Sequence, residues 1–213
     1  MKALLLTYRP HLSIAVLVIL YSVGIFGLAS SHRAWFLAAT PLTLMISTGL
    51  LLLNHVEWNP KAILAFIAIS CGGFLVEVLG VKTGLIFGEY GYGPTLGMKL
   101  WTVPLVIGLN WLLLTYTTGA LMARMRLSIW VQAALAAATM TALDVLIEPI
   151  AMALDFWQWE GGFVPIQNYL AWLGVSYAFQ VLFQLLKFDK RNPTAVAVLA
   201  LQVCFFGILN WML

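Results

Sequence analysis

Residues 128–155 read SIWVQAALAAATMTALDVLIEPIAMALD. The stretch exceeds the about 20 helical residues that cross a bilayer, and it carries acids in an otherwise apolar run. A helix turns about 100° per residue, so Glu148 falls roughly 40° from Asp144, and Asp155 roughly 20° beyond it. All three carboxyls are therefore expected on one face of a continuous helix. An ionised carboxylate near the bilayer centre costs at least a few kcal/mol, so a membrane helix with two acids inside its span needs a use for them.

The same apolar character extends along the chain. Of 213 residues, 62% are hydrophobic and 9% charged, and the mean hydropathy is +0.97. This excludes a soluble domain and predicts an all-α, polytopic integral membrane protein, multi-pass in the cell membrane. Hydropathy and flanking polar residues give seven transmembrane spans, at about 11–29, 35–53, 61–80, 102–123, 128–154, 167–186 and 194–213. The seven form one transmembrane domain over 1–213, with lipid around it and no nucleic-acid partner. The first run follows Lys2 and Arg9 as a signal peptide would. Its length and the lack of a small-residue cleavage site make it a retained helix.

Orientation follows from the basic residues of the connections. One side receives Lys2, Arg9, Lys61, Arg124, Arg126, Lys187, Lys190 and Arg191, and the other only Arg33, Lys82 and Lys99. The excess places the N-terminus in the cytoplasm and the 82–101 and 155–166 loops outside. Both outer loops mix aromatics, acids and turn residues: Glu89, Tyr90 and Tyr92 in one, Asp155, Trp157, Trp159 and Glu160 in the other. Cys71 and Cys204 read as buried structural thiols. His11, His32 and His55 are scattered, and no metal site is expected from them.

A helical rise of about 1.5 Å per residue sets depths: Asp155 at the interface, Glu148 about 10 Å and Asp144 about 16 Å below it. Glu77 lies roughly 5 Å into the third span and Asn110 about 12 Å into the fourth, while Gln167 and Asn168 open the sixth. Polar groups of four spans thus share the outer half of the membrane, where they must face one another or a wet cavity. Few cations are placed to neutralise the acids, so at least one carboxyl is expected to hold a proton at neutral pH. Pro149 is expected to kink the helix beside Glu148. Trp157 and Trp159, with Tyr169 and Trp172, could form an aromatic wall for a positive charge or an ordinary interfacial belt. The lesser reading of the acids is hydrogen-bonding glue between helices.

The segments Gly73–Gly84, Phe87–Tyr92, Val103-Pro104 with Asn110-Trp111, Asp144–Ala151 and Pro165–Trp172 together resemble the membrane carotenoid-biosynthesis proteins that include the carotenoid 1,2-hydratases, also called bisanhydrobacterioruberin hydratases. The resemblance implies a hydro-lyase that works without a cofactor. It would add water across the terminal C1=C2 bond of an acyclic carotenoid of lycopene, γ-carotene or bisanhydrobacterioruberin type, giving a tertiary alcohol. A homo-oligomer or other carotenoid enzymes could accompany it.

Such a substrate, dissolved in lipid, calls for an apolar tunnel that is polar only at its reacting end. The residues suit protonation of C2 by Glu148 or Asp144, followed by attack of water on C1. The other acid or Glu77 would stabilise the cation and take the water's proton. Asn110, Gln167 and Asn168 would hold the water, with Trp157, Trp159 or Tyr90 sheltering the cation. The alternatives are a carotenoid end-group cyclase, a non-catalytic subunit, and a proton-coupled transporter. Against transport, the inner halves of the spans look nearly free of polar groups.

Overall fold

The computed structural model describes residues 2–213, with side chains from Tyr8 onward, so the side chain of Lys2 lies outside the described residues. Its helices are α1 (Lys2–Leu28), α2 (Arg33–Ala38), α3 (Thr40–Leu53), α4 (Pro60–Thr83), α5 (Val106–Met122), α6 (Ile129–Ala153), α7 (Ile166–Leu185) and α8 (Pro193–Met212). Four short strands lie in the connections: β1 (Tyr90–Tyr92), β2 (Lys99–Leu100), β3 (Val103–Pro104) and β4 (Trp157–Trp159). The fold is thus all-α. Helices α1, α4, α6 and α8 are long and apolar enough to cross a membrane, while α3 and α5 are shorter apolar helices.

The surface and the interior are inverted relative to a water-soluble protein. Leu12, Ile19, Phe26, Leu64, Ile67 and Leu79 are exposed, whereas Glu77, Asp144, Glu148, Asn168 and Gln180 are buried. Hydrocarbon around the bundle accounts for both facts, because it tolerates exposed leucine and penalises exposed carboxylate. The expectation for the cysteines fails for the same reason: Cys71 and Cys204 are exposed on this apolar exterior. Hydropathy finds a membrane helix but does not say which side of it faces lipid.

Local chemistry sets the helix ends. The Asn59 side chain caps α4 by accepting from the Ala62 N–H, with Pro60 at the first helical position. Ser128 caps α6 through the Val131 N–H, and Asn192 caps α8 through that of Thr194. Gly84, at φ 65°, ends α4 in the left-handed region that glycine enters without strain.

Three boundaries differ from the sequence expectation. The second span is broken into α2 and α3, because Pro41 near the start of α3 cannot donate back into a continuous helix. The fourth begins at Val106, since β2 and β3 pair as a hairpin just before it. Its turn residues Trp101 and Thr102 have φ of 51° and 72°, the two positive values such a tight turn needs. The fifth ends at Ala153, and Asp155 reverses the chain at φ 53°. Asp155 therefore does not continue the acid stripe. Helix α6 itself runs through Pro149 without interruption.

Helix α5 is central and touches α3, α4, α6, α7 and α8. The most extensive helix pair is α6 with α7, helped by Ala133, Ala136 and Ala137, which are fully buried. At the end of the bundle away from β1 and β4, His55 Nδ1 and the Tyr116 hydroxyl lie 2.6 Å apart. Asn192 Nδ2 donates to that hydroxyl and to the Leu51 carbonyl, tying α3, α5 and α8 together.

Candidate active site

The two aromatic loops meet as an antiparallel pair. β1 and β4 align Tyr90 with Trp159, Gly91 with Gln158 and Tyr92 with Trp157. Side chains alternate along a strand, so all four aromatics point to one face, while Gly91 and Gln158 are exposed on the other. The inward face caps the buried acids. Gly93 fixes this approach: a Cβ there would lie 2.0 Å from the Asp155 carbonyl oxygen, and its N–H donates to the Phe156 carbonyl at 3.0 Å.

Beneath the cap, Glu77 of α4 accepts three hydrogen bonds. Tyr90 and Tyr92 donate their hydroxyls to Oε2, the latter at 2.8 Å, and Trp111 Nε1 donates to Oε1 at 3.0 Å. Burial, and next the charge of Glu77, push both phenols far above their usual pKa, so they remain donors. Gly73 makes room for the indole, since a Cβ there would lie 2.4 Å from the Trp111 ring. Trp111 also stacks on Trp172, with ring centroids 4.4 Å apart and planes at 14°.

Glu148 of α6 is satisfied differently. Trp157 and Trp159 both donate to Oε2 at 2.9 Å. Asn168 Nδ2 bridges Glu148 Oε1 at 3.3 Å and Asp144 Oδ2 at 2.9 Å. Every donor to the three acids is neutral. Asp144, Glu148 and Glu77 are 1%, 2% and 4% exposed, so the set is closed to bulk water.

Glu77, Glu148 and Asn168 line a small cavity of about 30 Å³ with Tyr90, Tyr92, Trp111, Trp157, Trp159 and Trp172. Asp144 is absent from its wall and sits behind Asn168. Ile107, Asn110 and Trp157 also line a second, larger space of about 190 Å³. That space is an apolar groove bounded by Leu20, Val23 and Leu28 of α1, Phe36 of α2, Leu44 of α3, and Phe205 and Phe206 of α8. The break between α2 and α3 contributes Ala39 and Thr40 to its wall. Among the described residues no hydrogen bond engages the Asn110 amide, which stands at the junction.

Most residues singled out from sequence are thus brought together: Glu77, Tyr90, Tyr92, Asn110, Glu148, Trp157, Trp159, Asn168 and Trp172 in the cavity wall, with Asp144 behind. Tyr169 is near the acids but does not line the cavity. Three others stand apart. Gln167 is exposed, and its Nε2 donates to the carbonyls of Gly84, Leu85 and Ile86, so it fastens the end of α4 to α7 rather than holding a water between the acids. Glu89 lies on the outer rim, where its proximity raises the pKa of exposed Glu160. Asp155 is exposed and accepts from Gln158 Nε2 at 3.2 Å. Sequence reasoning gave no role to Trp111 on Glu77 or to Gly73 and Gly93, because a donor or a gap is defined only by its neighbour.

The inner halves of the spans are not free of polar groups, contrary to expectation. Gln132, Thr115, Thr118, Ser176, Gln180 and Gln184 are all buried there. Gln180 Nε2 donates to the Thr115 carbonyl at 3.0 Å and to Thr118 Oγ1 at 2.8 Å, and Gln184 Nε2 to the Gly119 carbonyl at 2.9 Å.

A family model described as "Carotenoid biosynthesis protein" matches residues 34–213. The chain belongs to that family. This carotenoid biosynthesis protein is 31% identical over 147 residues to the bisanhydrobacterioruberin hydratase of Haloarcula japonica, a match covering 62% of this chain and 47% of that protein. It therefore spans about half the length of the curated relative it matches. No solved structure matches this carotenoid biosynthesis protein. The matched region contains every residue of the acid cavity and leaves out all of α1, which supplies one wall of the groove.

Proposed function

We propose that the protein is a multi-pass carotenoid 1,2-hydratase of the cell membrane, working without a cofactor on an acyclic end group. The observation that carries this reading is the junction at Ile107, Asn110 and Trp157, where an apolar groove meets a cavity holding two carboxyls. A polyene could lie in the groove and pass only its terminal alkene to the acids. The named activity of the Haloarcula japonica relative supports the same chemistry.

Glu148 is the proton donor in this mechanism. Both indoles converge on its Oε2, while Oε1 takes only the longer 3.3 Å contact from Asn168, so Oε1 is the oxygen that carries the proton. Transfer to C2 forms the new C–H bond and places the positive charge on C1, the more substituted carbon. The faces of Trp157, Trp159 and Tyr90 and the carboxylate of Glu77 shelter that charge. A water held by Asn110 adds its oxygen to C1 and gives its proton to Glu77, whose three donors suit an ionised acceptor. Asp144 shares Asn168 with Glu148 and stands behind it as a second proton-holding group. The cycle closes when Glu148 regains a proton and Glu77 loses one.

Expression in a lycopene-producing host, with chromatography and mass spectrometry of the pigments, tests this. Gain of one or two waters is expected. Unchanged mass with cyclised pigment would instead identify a cyclase, and unchanged pigment beside well-folded protein would count against lycopene as a substrate. Retention of full hydration by both Asp144→Asn and Glu148→Gln at normal expression would remove the acid assignment.

A further inference from the structure

The hydration scheme leaves unused a line of buried polar groups between the acids and the opposite end of the bundle. Helices α6 and α7 are antiparallel: Asn168, at the start of α7, reaches Asp144 and Glu148 near the end of α6, while Gln180 reaches the Met140 sulfur at 3.2 Å. One turn from Gln180 and one turn from Met140 bring Ser176 level with Asp144. Below lie Gln180 with Thr118 and Thr115, then Gln184, then Gln132. The last two line an opening of about 570 Å³ beside Arg124, Asp189, Lys190 and Arg191.

Two atoms on this line are orphaned. Ser176 Oγ and Gln180 Oε1 are buried and have no hydrogen-bond partner among the described residues. Such atoms inside a membrane bundle are normally satisfied by trapped water. The spacing along α7, four residues per step from Asn168 through Trp172 to Ser176, Gln180 and Gln184, sets them along one ridge that winds by about 40° per step, and all five are buried. The line is too closely packed for bulk water: a Cβ on Gly119 would lie 2.6 Å from Gln180 Oε1.

We propose that Ser176, Gln180, Thr118 and Gln184 hold a short file of waters through which the Asp144–Glu148 pair exchanges protons with the face bearing Arg124 and Lys190. The proposal rests on the acid pair described above and adds to it the side from which its protons come. The titratable neighbours of Asp144 are Glu148, Glu77 and Tyr169. At the far end they are Asp189, Lys190 and Arg191, with Arg124 donating to the Asn192 carbonyl.

The test is infrared measurement of hydrogen–deuterium exchange at the protonated carboxyl of the full-length protein in lipid vesicles without substrate, with the band assigned by its loss in Asp144→Asn or Glu148→Gln. Ser176→Ala and Gln180→Met should slow the band's shift in D2O by about tenfold, the effect of losing hydrogen-bond partners for water along the file. Thr48→Val, which removes a buried unpartnered hydroxyl off the line, should leave it unchanged. Wild-type exchange rates in Ser176→Ala, or equal slowing in Thr48→Val, would overturn the proposal. Pigment hydration is scored separately. Exchange that depends on Ser176 in a protein that hydrates nothing would leave the file standing and remove the hydratase reading.

Discussion

Glu148→Gln isolates the chemistry from the scaffold, because glutamine can reproduce most of what Glu148 holds. Its carbonyl oxygen can replace Oε2 and still accept from Trp157 and Trp159, each at 2.9 Å in the native protein. Its amide group then falls where Oε1 was and meets Asn168 Nδ2, donor against donor, where the native contact is 3.3 Å. One buried hydrogen bond is lost, costing about 1–3 kcal/mol of stability. The transferable proton disappears entirely, and loss of a general acid lowers the rate by about 10²–10⁴-fold. Asp144→Asn should be milder, about tenfold, because Asp144 does not line the cavity and its replacement still accepts from Asn168. The assay is hydrated pigment per unit of membrane-inserted protein, with tryptophan emission reporting that the cap remains closed. If Glu148→Gln kept more than about one tenth of wild-type hydration with the cap closed, Glu148 would not be the donor.

Other expected outcomes follow from single contacts. Gly73→Ala should drive the Trp111 indole off Glu77, lowering stability by about 1–3 kcal/mol in a thermal melt and reducing hydration with it. Gly93→Ala should part β1 from β4 and abolish hydration while circular dichroism keeps its helical signal, since the clash is with the Asp155 backbone. Tyr92→Phe removes one of three donors to Glu77 and should lower kcat by about tenfold with KM little changed, read in detergent-solubilised protein. Thr43→Phe fills the groove at a distance from the acids and should raise KM for a long polyene far more than it lowers kcat.

How much of this was legible in the sequence depended on how local the cause was. The acids at 144 and 148 and their seat in a membrane helix follow from spacing and hydropathy, and Asn168 from its depth opposite them. The bundle's helices also lie close to their expected positions. The pairing of β1 with β4 was not legible, because each strand has three residues and the two lie more than sixty positions apart. The aromatic residues read as either a wall or an interfacial belt until the register turns all four inward. The α2–α3 break needed Pro41 to be weighed above an unbroken apolar run. The polar line escaped notice because its uncharged members are scattered over α5, α6 and α7, and only the packing of those helices brings them together. Lipid-facing Cys71 and Cys204 were misplaced since an apolar neighbourhood in sequence does not distinguish lipid from core.

The β1–β4 cap joins two carboxyls that belong to different helices. Tyr90 and Tyr92 hold Glu77, while Trp157 and Trp159 hold Glu148, and the four side chains hang from one pair of strands. Lifting that pair would strip Glu77 of both phenols and Glu148 of both indoles in one movement, leaving each acid a single donor, Trp111 and Asn168 respectively. In the proposed mechanism, opening toward water would therefore disarm both acids, and an apolar substrate would enter sideways, along the groove.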